Sequence, residues 1–266
     1  MTRIMMLAAL LALAACASTL EIPPQQIAGT RAAPKPIPAR LTLPSGPGPH
    51  PVVILLHGCD GLASPLSGLT GMDRWVSRVN GWGYAALVPD SMFPRGVSEV
   101  CPAAEQRKVT PTDRSGDVVS AALYLRTLKD IDSNRIAVIG LSHGGATAAR
   151  LAVAPAGLQA KPLIRATINY YGPCVAPASY TGMPLLALAG EDDDWGNPAR
   201  NCRAFAAAVG ADKPVEVATY PGVVHAFDNA MIVRRFVSNG HAIEYNADAA
   251  NDSFRRVQAF LARYDN

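Results

Sequence analysis

The stretch Gly140-Leu141-Ser142-His143-Gly144-Gly145 sets a serine among glycines, after the apolar run Ile136–Ile139 and before the alanine-rich stretch Ala146–Ala154. A strand before and a helix after such a turn leave the serine hydroxyl at an exposed, strained corner, where it can act as a nucleophile. Gly140 and Gly144 must be small there to avoid neighbouring chain, and the helix N-terminus aims amide N–H groups at a developing oxyanion. Serine is a weak nucleophile at its own pKa and requires an adjacent base. Of five histidines, His225 is the best placed: it lies in Tyr220-Pro221-Gly222-Val223-Val224-His225-Ala226-Phe227-Asp228, a loop that follows an apolar run. His143 adjoins the serine but starts a helix, so its ring should diverge from the hydroxyl. His57 belongs to another loop, and His50 and His241 lack such a setting. A third group must hold the imidazole tautomer and stabilise its charged form. Gly190-Glu191-Asp192-Asp193-Asp194-Trp195 gathers four acids at one strand end, and strand-end geometry alone does not separate Asp192, Asp193 and Asp194.

Positioning these groups requires a sheet. Val52–Leu56, Tyr84–Val88, Arg135–Ile139, Ala166–Tyr170, Leu185–Ala189 and Val215–Tyr220 predict strands, with Arg40–Leu43 as a leading edge strand. Most are continuous Val/Ile/Leu/Ala runs, the pattern of strands covered on both faces. Asp117–Leu128 carries Val118, Ala121, Leu125 and Leu128 on one helical stripe, and Pro198–Val209 and Asp252–Arg263 are similar. Strands separated by helices imply parallel crossovers, hence an α/β fold with a mostly parallel central sheet, helices on both faces and no large lid. At 266 residues, 49% hydrophobic and 17% charged, one domain plus an appendage is expected and wholesale disorder is excluded. A near balance of 24 Lys+Arg against 21 Asp+Glu, without a basic block, gives no reason to expect nucleic acid as a partner.

The order Ser142, acid cluster, His225 is that of the α/β hydrolases. Leu56-His57-Gly58-Cys59-Asp60-Gly61 then stands where such an enzyme supplies its second oxyanion donor, so the backbone N–H of Cys59 would pair with that of His143. Over roughly residues 40–264 the chain resembles the dienelactone hydrolase family, through His57-Gly58-Cys59, Val88-Pro89-Asp90, Gly140–Gly145, Gly190–Trp195 and Tyr220–Phe227. The resemblance implies Asp193 as the triad acid, third after the glycine that ends its strand, and His225 as the base. Dienelactone hydrolases proper use a cysteine nucleophile with a glutamate on the first loop. Here Ser142 stands for the one and Gly58 or Cys59 for the other, which points to general ester or lactone hydrolysis. The implied enzyme acts through an acyl-enzyme on a small-molecule ester or lactone and needs no cofactor or metal. Its rivals are a peptidase or amidase of the same fold and a catalytically inactive envelope binding protein. Arg95 and Arg107, in the long connection before the Asp117 helix, are candidates to bind a substrate carboxylate, against a solvated loop role. Trp195 could wall the acyl pocket or pack its own loop.

Residues 1–15 have one positive charge, Arg3, and an apolar run from Ile4 to Ala15, the parts of a secretory signal. That run is shorter than the ~20 residues a spanning helix needs. Leu13-Ala14-Ala15-Cys16 resembles the bacterial lipobox, which implies cleavage before Cys16 and lipid attachment to it. Ala17 follows, where Asp tends to mark inner-membrane retention. The expectation is an exported periplasmic protein anchored to the outer membrane through Cys16 alone, with an ordinary signal peptide as the alternative. Residues 16–39, with Pro23, Pro24, Pro34, Pro36 and Pro38, predict an extended tether ahead of a domain spanning 40–266. Four further cysteines in an oxidising compartment predict two disulfides. Cys59–Cys101 and Cys174–Cys202 are the expected pairs, because the fold would gather their loops at one end of the sheet.

Overall fold

The apolar runs form the centre of an eight-stranded sheet. A computed structural model describes residues 17–64, 69–102, 104–176 and 179–264. The expected leader, residues 1–15, and Cys16 lie outside the described residues. The elements in chain order are β1 (Ala17–Ile22), β2 (Ile37–Thr42), β3 (His50–Leu56), α1 (Leu69–Gly81), β4 (Ala85–Pro89), α2 (Pro111–Leu125), β5 (Ile131–Leu141) and α3 (His143–Arg150). There follow α4 (Ala156–Ala160), β6 (Ala166–Tyr170), β7 (Leu185–Gly190), α5 (Pro198–Val209), β8 (Val215–Tyr220), β9 (Phe236–Ser238), β10 (His241–Ile243) and α6 (Ala247–Tyr264).

The sheet order is β1-β2-β4-β3-β5-β6-β7-β8. From β4 to β8 all neighbours are parallel, while β1 and β2 add an antiparallel pair at one side. Because successive side chains point to opposite faces, each strand feeds two cores. Val52, Ile54 and Leu56 of β3 pack with α2, α3 and α5, whereas Val53 and Leu55 pack with α1 and α6. This is the α/β-hydrolase architecture, with no separate lid domain among the described residues. None of the described helices is long and apolar enough to cross a membrane.

Three expectations need correction. The proline-rich segment before residue 40 is not a free spacer. β1 pairs with β2 along its whole length, and Ile22, Ile27, Ala33 and Ile37 enter the core beside α2. Gln25 donates its N–H to Ser120 Oγ, and Arg31 donates to Asp113 at 3.0 Å. These apolar residues are too widely spaced to show a periodicity, but burial of each still contributes. The strand at Arg40 is consequently interior to the sheet, and β1 takes the edge. Finally, α2 begins at Pro111, earlier than its apolar stripe suggests. Thr110 caps it reciprocally with Asp113, and Pro111 fills the first turn, where a missing N–H costs nothing. Helix α1 and the β9–β10 hairpin lie outside the expected elements.

Candidate active site

Ser142 directly follows β5 and stands at the N-cap position of α3 with φ 54° and ψ −114°, a conformation that costs a non-glycine residue energy. Its N–H donates to the Tyr170 carbonyl at 2.9 Å, and its own carbonyl accepts from Ala146 N–H at 2.9 Å. The turn is possible because its neighbours are glycines. A Cβ on Gly140 would lie 1.9 Å from the Gly144 carbonyl oxygen, and one on Gly144 would lie 2.3 Å from that of Leu56.

His225 Nε2 lies 3.0 Å from Ser142 Oγ, and His225 Nδ1 lies 2.8 Å from Asp193 Oδ2. Both ring and carboxylate are buried. With Nδ1–H donating to the carboxylate, Nε2 is free to accept the hydroxyl proton. The other acids of the cluster face elsewhere. Glu191 binds Arg203 and Thr219, Asp192 is exposed, and Asp194 bonds His241 Nδ1 at 2.9 Å. Asp193 alone turns inward, its Oδ1 accepting from Trp195 N–H at 2.9 Å. The hairpin steadies the base from outside: Glu244 N–H donates to the His225 carbonyl, and Ile243 bridges to His225.

The His143 ring does diverge. Its Nδ1 lies 3.0 Å from Arg114 Nη1, which also donates to the His57 carbonyl at 2.9 Å. Burial, then the Arg114 charge, hold the His143 imidazole down to about 3, so it is neutral and Nδ1 accepts. Burial and Arg114 likewise hold His57 well below its ordinary value. Arg114 itself is fully buried, its Nε and Nη2 have no hydrogen-bond partner among the described residues, and burial lowers it to about 10.

Neither loop arginine faces the serine. Arg95 forms a two-pronged pair with buried Asp117 at 2.7 and 2.9 Å and donates further to the Ser91 and Arg31 carbonyls. It is thus neither a solvated loop residue nor a substrate ligand: both terminal nitrogens of its guanidinium are committed, to a carboxylate and two carbonyls, and its side chain lines neither recess at Ser142. Arg107 is exposed and lines neither recess at Ser142, while its carbonyl accepts from Arg31. Trp195 does reach the site, its ring centroid 4.9 Å from that of His225 and stacked 4.9 Å from His241.

Two recesses meet at Ser142, of about 530 Å³ and about 750 Å³. Cys59, Cys101, Tyr171 and Trp195 line both. Cys59 and Cys101 are disulfide-bonded, so the bridge ties the loop after β3 to the connection before α2. The second disulfide joins Cys174 to Cys202, the latter within α5 rather than on a loop. Among the described residues no group of His, Cys, Asp or Glu is placed to hold a metal ion.

One part of the site escaped the sequence reading. Tyr171, with φ 44°, sets its ring edge-on to His225 at 4.7 Å and donates its hydroxyl to Asp228 Oδ1 at 2.6 Å. Trp75 Nε1 donates to the other oxygen at 2.9 Å. Burial first, with the Asp228 charge, raises the Tyr171 phenol well above its ordinary value, so it remains a donor. Only the doublet Tyr170-Tyr171 at a strand end hinted at this, and the partners are far apart in the chain.

Comparisons with known proteins agree with the fold. A putative dienelactone hydrolase from Klebsiella pneumoniae subsp. pneumoniae MGH 78578 superposes with a TM-score of 0.73 at 21% identity, covering 94% of this chain and 100% of its own. A dienelactone hydrolase-like promiscuous phosphotriesterase from metagenomic libraries gives 0.67 at 17% identity, over 94% and 99%. Esterase 2 of Thermogutta terrifontis gives 0.64 at 16% identity, over 93% and 94%. At these identities the likeness shows the fold. No curated protein matches the sequence. The sequence of residues 37–265, from β2 through the last helix, matches the dienelactone hydrolase family, and with that span enclosing Ser142, Asp193 and His225 the chain belongs to that family.

Proposed function

We propose that the protein is a serine hydrolase cleaving carboxylic esters or lactones through an acyl-enzyme. The observation that carries this reading is the unbroken chain from Ser142 Oγ through His225 to Asp193, with both links at or below 3.0 Å. His225 Nε2 takes the proton of Ser142 as Oγ attacks the carbonyl carbon, and Asp193 stabilises the imidazolium. The amides of Cys59 and His143 hold the oxyanion. Collapse breaks the bond to the leaving oxygen, which takes the proton from His225 Nε2. Water then attacks the acyl-serine, again through His225, and releases the acid. The esterase neighbours share the fold and support hydrolysis of this kind.

We further propose that the chain is exported and carries lipid on Cys16. The support is the Leu13-Ala14-Ala15-Cys16 string and two disulfides, which persist in oxidising compartments. Because β1 begins at Ala17, an anchor there would hold the domain close to the membrane surface rather than on a long tether.

The test is fluorophosphonate labelling together with p-nitrophenyl acetate and butyrate hydrolysis, for wild type and Ser142→Ala. Labelling and turnover should both vanish in the variant. Turnover that survives it, or a wild type inert to both, overturns the reading.

A further inference from the structure

The His225 ring is held at its two nitrogens, Nδ1 by Asp193 and Nε2 by Ser142. Two such bonds fix the imidazole along one line but leave it free to swing about that line. A swing turns the Nε2 lone pair away from the Ser142 hydroxyl, and proton transfer depends on that alignment. Two aromatic rings limit it. Trp195 lies 4.9 Å from His225, tilted by 40°, and Tyr171 lies 4.7 Å away at 61°. Trp195 rests in turn on His241, whereas Tyr171 is anchored by Asp228.

Asp228 is buried and stands in the same loop as His225. Its Oδ1 accepts the Tyr171 hydroxyl at 2.6 Å and its Oδ2 the Trp75 indole N–H at 2.9 Å. Trp75 belongs to α1 and Tyr171 follows β6, so one carboxylate joins the histidine loop to two distant segments. Arg74 serves the Asp228 backbone carbonyl and Asn229 Oδ1 rather than the carboxylate. An apolar side chain in this place would cost no desolvation, so packing alone gives no reason for an acid here. The tie also helps to hold Tyr171 at φ 44°, a conformation that costs a non-glycine residue energy. Tyr171 lines both recesses at Ser142, and Asp228 lines neither, so Asp228 has no contact with a substrate and acts through Tyr171.

We propose that Asp228 is a positioning residue for the base. Through its hydrogen bonds to Tyr171 and Trp75 it keeps the Tyr171 ring against His225, so that Nε2 stays aligned with Ser142 Oγ through every proton transfer. The assignment rests on the serine-hydrolase reading above and adds to it a second buried acid with a different task. Asp193 binds the imidazole itself, whereas Asp228 fixes the ring that packs against it.

The test measures p-nitrophenyl butyrate kinetics and the rate of fluorophosphonate labelling in Asp228→Ala, Asp228→Asn and Tyr171→Phe. Both reactions pass through His225, so in Asp228→Ala kcat and the labelling rate should fall together, by about tenfold or more. KM should stay within about twofold of wild type, because no substrate contact is lost. In Asp228→Asn the amide can accept from Trp75 and donate to the Tyr171 hydroxyl, so kcat should return to within about threefold of wild type. Tyr171→Phe cuts the same tie from its other end. It should lower kcat as Asp228→Ala does, and the double variant should be no slower than either. Ile22→Ala is the control for lost stability: it opens the core at edge strand β1, with β2, β4 and β3 between it and β5. It should lower the melting temperature and leave kcat unchanged. The assignment is overturned by a folded Asp228→Ala with wild-type kcat and labelling, by a change in KM alone, or by Asp228→Asn as slow as Asp228→Ala. An equal fall of kcat in Ile22→Ala overturns it too. Should Asp228→Ala fail to fold, Tyr171→Phe decides: lower kcat at constant KM supports the tie, and unchanged kcat overturns it. A wild type inert to both ester and fluorophosphonate would instead remove the hydrolase reading, and the assignment with it.

Discussion

Arg114 Nη1 donates to the backbone carbonyl of His57 at 2.9 Å, so a fully buried cation on α2 holds the loop that carries Cys59. The same nitrogen lies 3.0 Å from the His143 ring, whose residue opens α3. One guanidinium thus spans the two segments whose amides are proposed to hold the oxyanion.

Arg114→Met should lower both stability and turnover. Truncation leaves the His57 carbonyl and His143 Nδ1 without their donor, at about 1–3 kcal/mol for each buried group. Displacing the donor loop should cost about tenfold or more in kcat, by analogy with loss of one oxyanion donor. Urea denaturation with steady-state kinetics on p-nitrophenyl butyrate checks both. Unchanged kcat in a folded variant would show that the loop needs no such tie.

The His143 ring should make the fold sensitive to mild acid. Its folded pKa, about 3, lies below the ordinary 6.5, so the unfolded chain takes up the proton first as pH falls. The stability present above pH 6.5 is then lost progressively down to about 3. His143→Gln keeps the amide N–H but removes the titration. Denaturation curves between pH 7 and pH 4 should therefore fall less steeply for the variant than for wild type.

Replacing Cys59 and Cys101 by serine should cost about 2–4 kcal/mol, the usual effect of removing a native bridge of this loop size. The bridge closes a sequence separation of 42 residues. Since it also lines both recesses, activity at temperatures well below melting should fall too. Thermal melts and initial rates of the double variant against wild type separate the two effects.

A chain shortened to begin at Ile37 should be clearly destabilised. It loses β1 and the buried side chains of Ile22 and Ile27, each worth about 1.5–3 kcal/mol. It also removes Arg31 from Asp113. Burial pushes that carboxyl up, but Arg31 and Thr110 outweigh it and hold it at about 2. The Arg31 part of the loss is present above the ordinary 3.8 and disappears as pH falls toward 2. A melting temperature equal to that of the longer chain would restore the spacer reading of this segment.

What could be seen in the sequence was what short stretches of chain decide. Gly140 and Gly144 around Ser142, a strand before and a helix after, mark a turn whose strain and close approaches are local. Continuous apolar runs mark strands buried on both faces, and Pro198–Val209 and Val215–Tyr220 coincide with α5 and β8. The proline-rich segment was misleading because proline content reports local stiffness, while Ile22, Ile27 and Ile37 act through burial against distant α2.

By itself, then, the sequence determined the parallel α/β sheet and the order in which serine, acid and histidine occur along it. Tertiary structure decided which acid of Asp192, Asp193 and Asp194 meets the imidazole, because that depends on how the loop after β7 folds against the loop after β8. It also decided that Arg95 serves Asp117 and that Arg114, Tyr171 and Asp228 stand behind the site. Backbone conformation follows from neighbours in the chain, whereas the partner of a charged or hydroxyl side chain is set by segments brought close only when the sheet and its helices have packed.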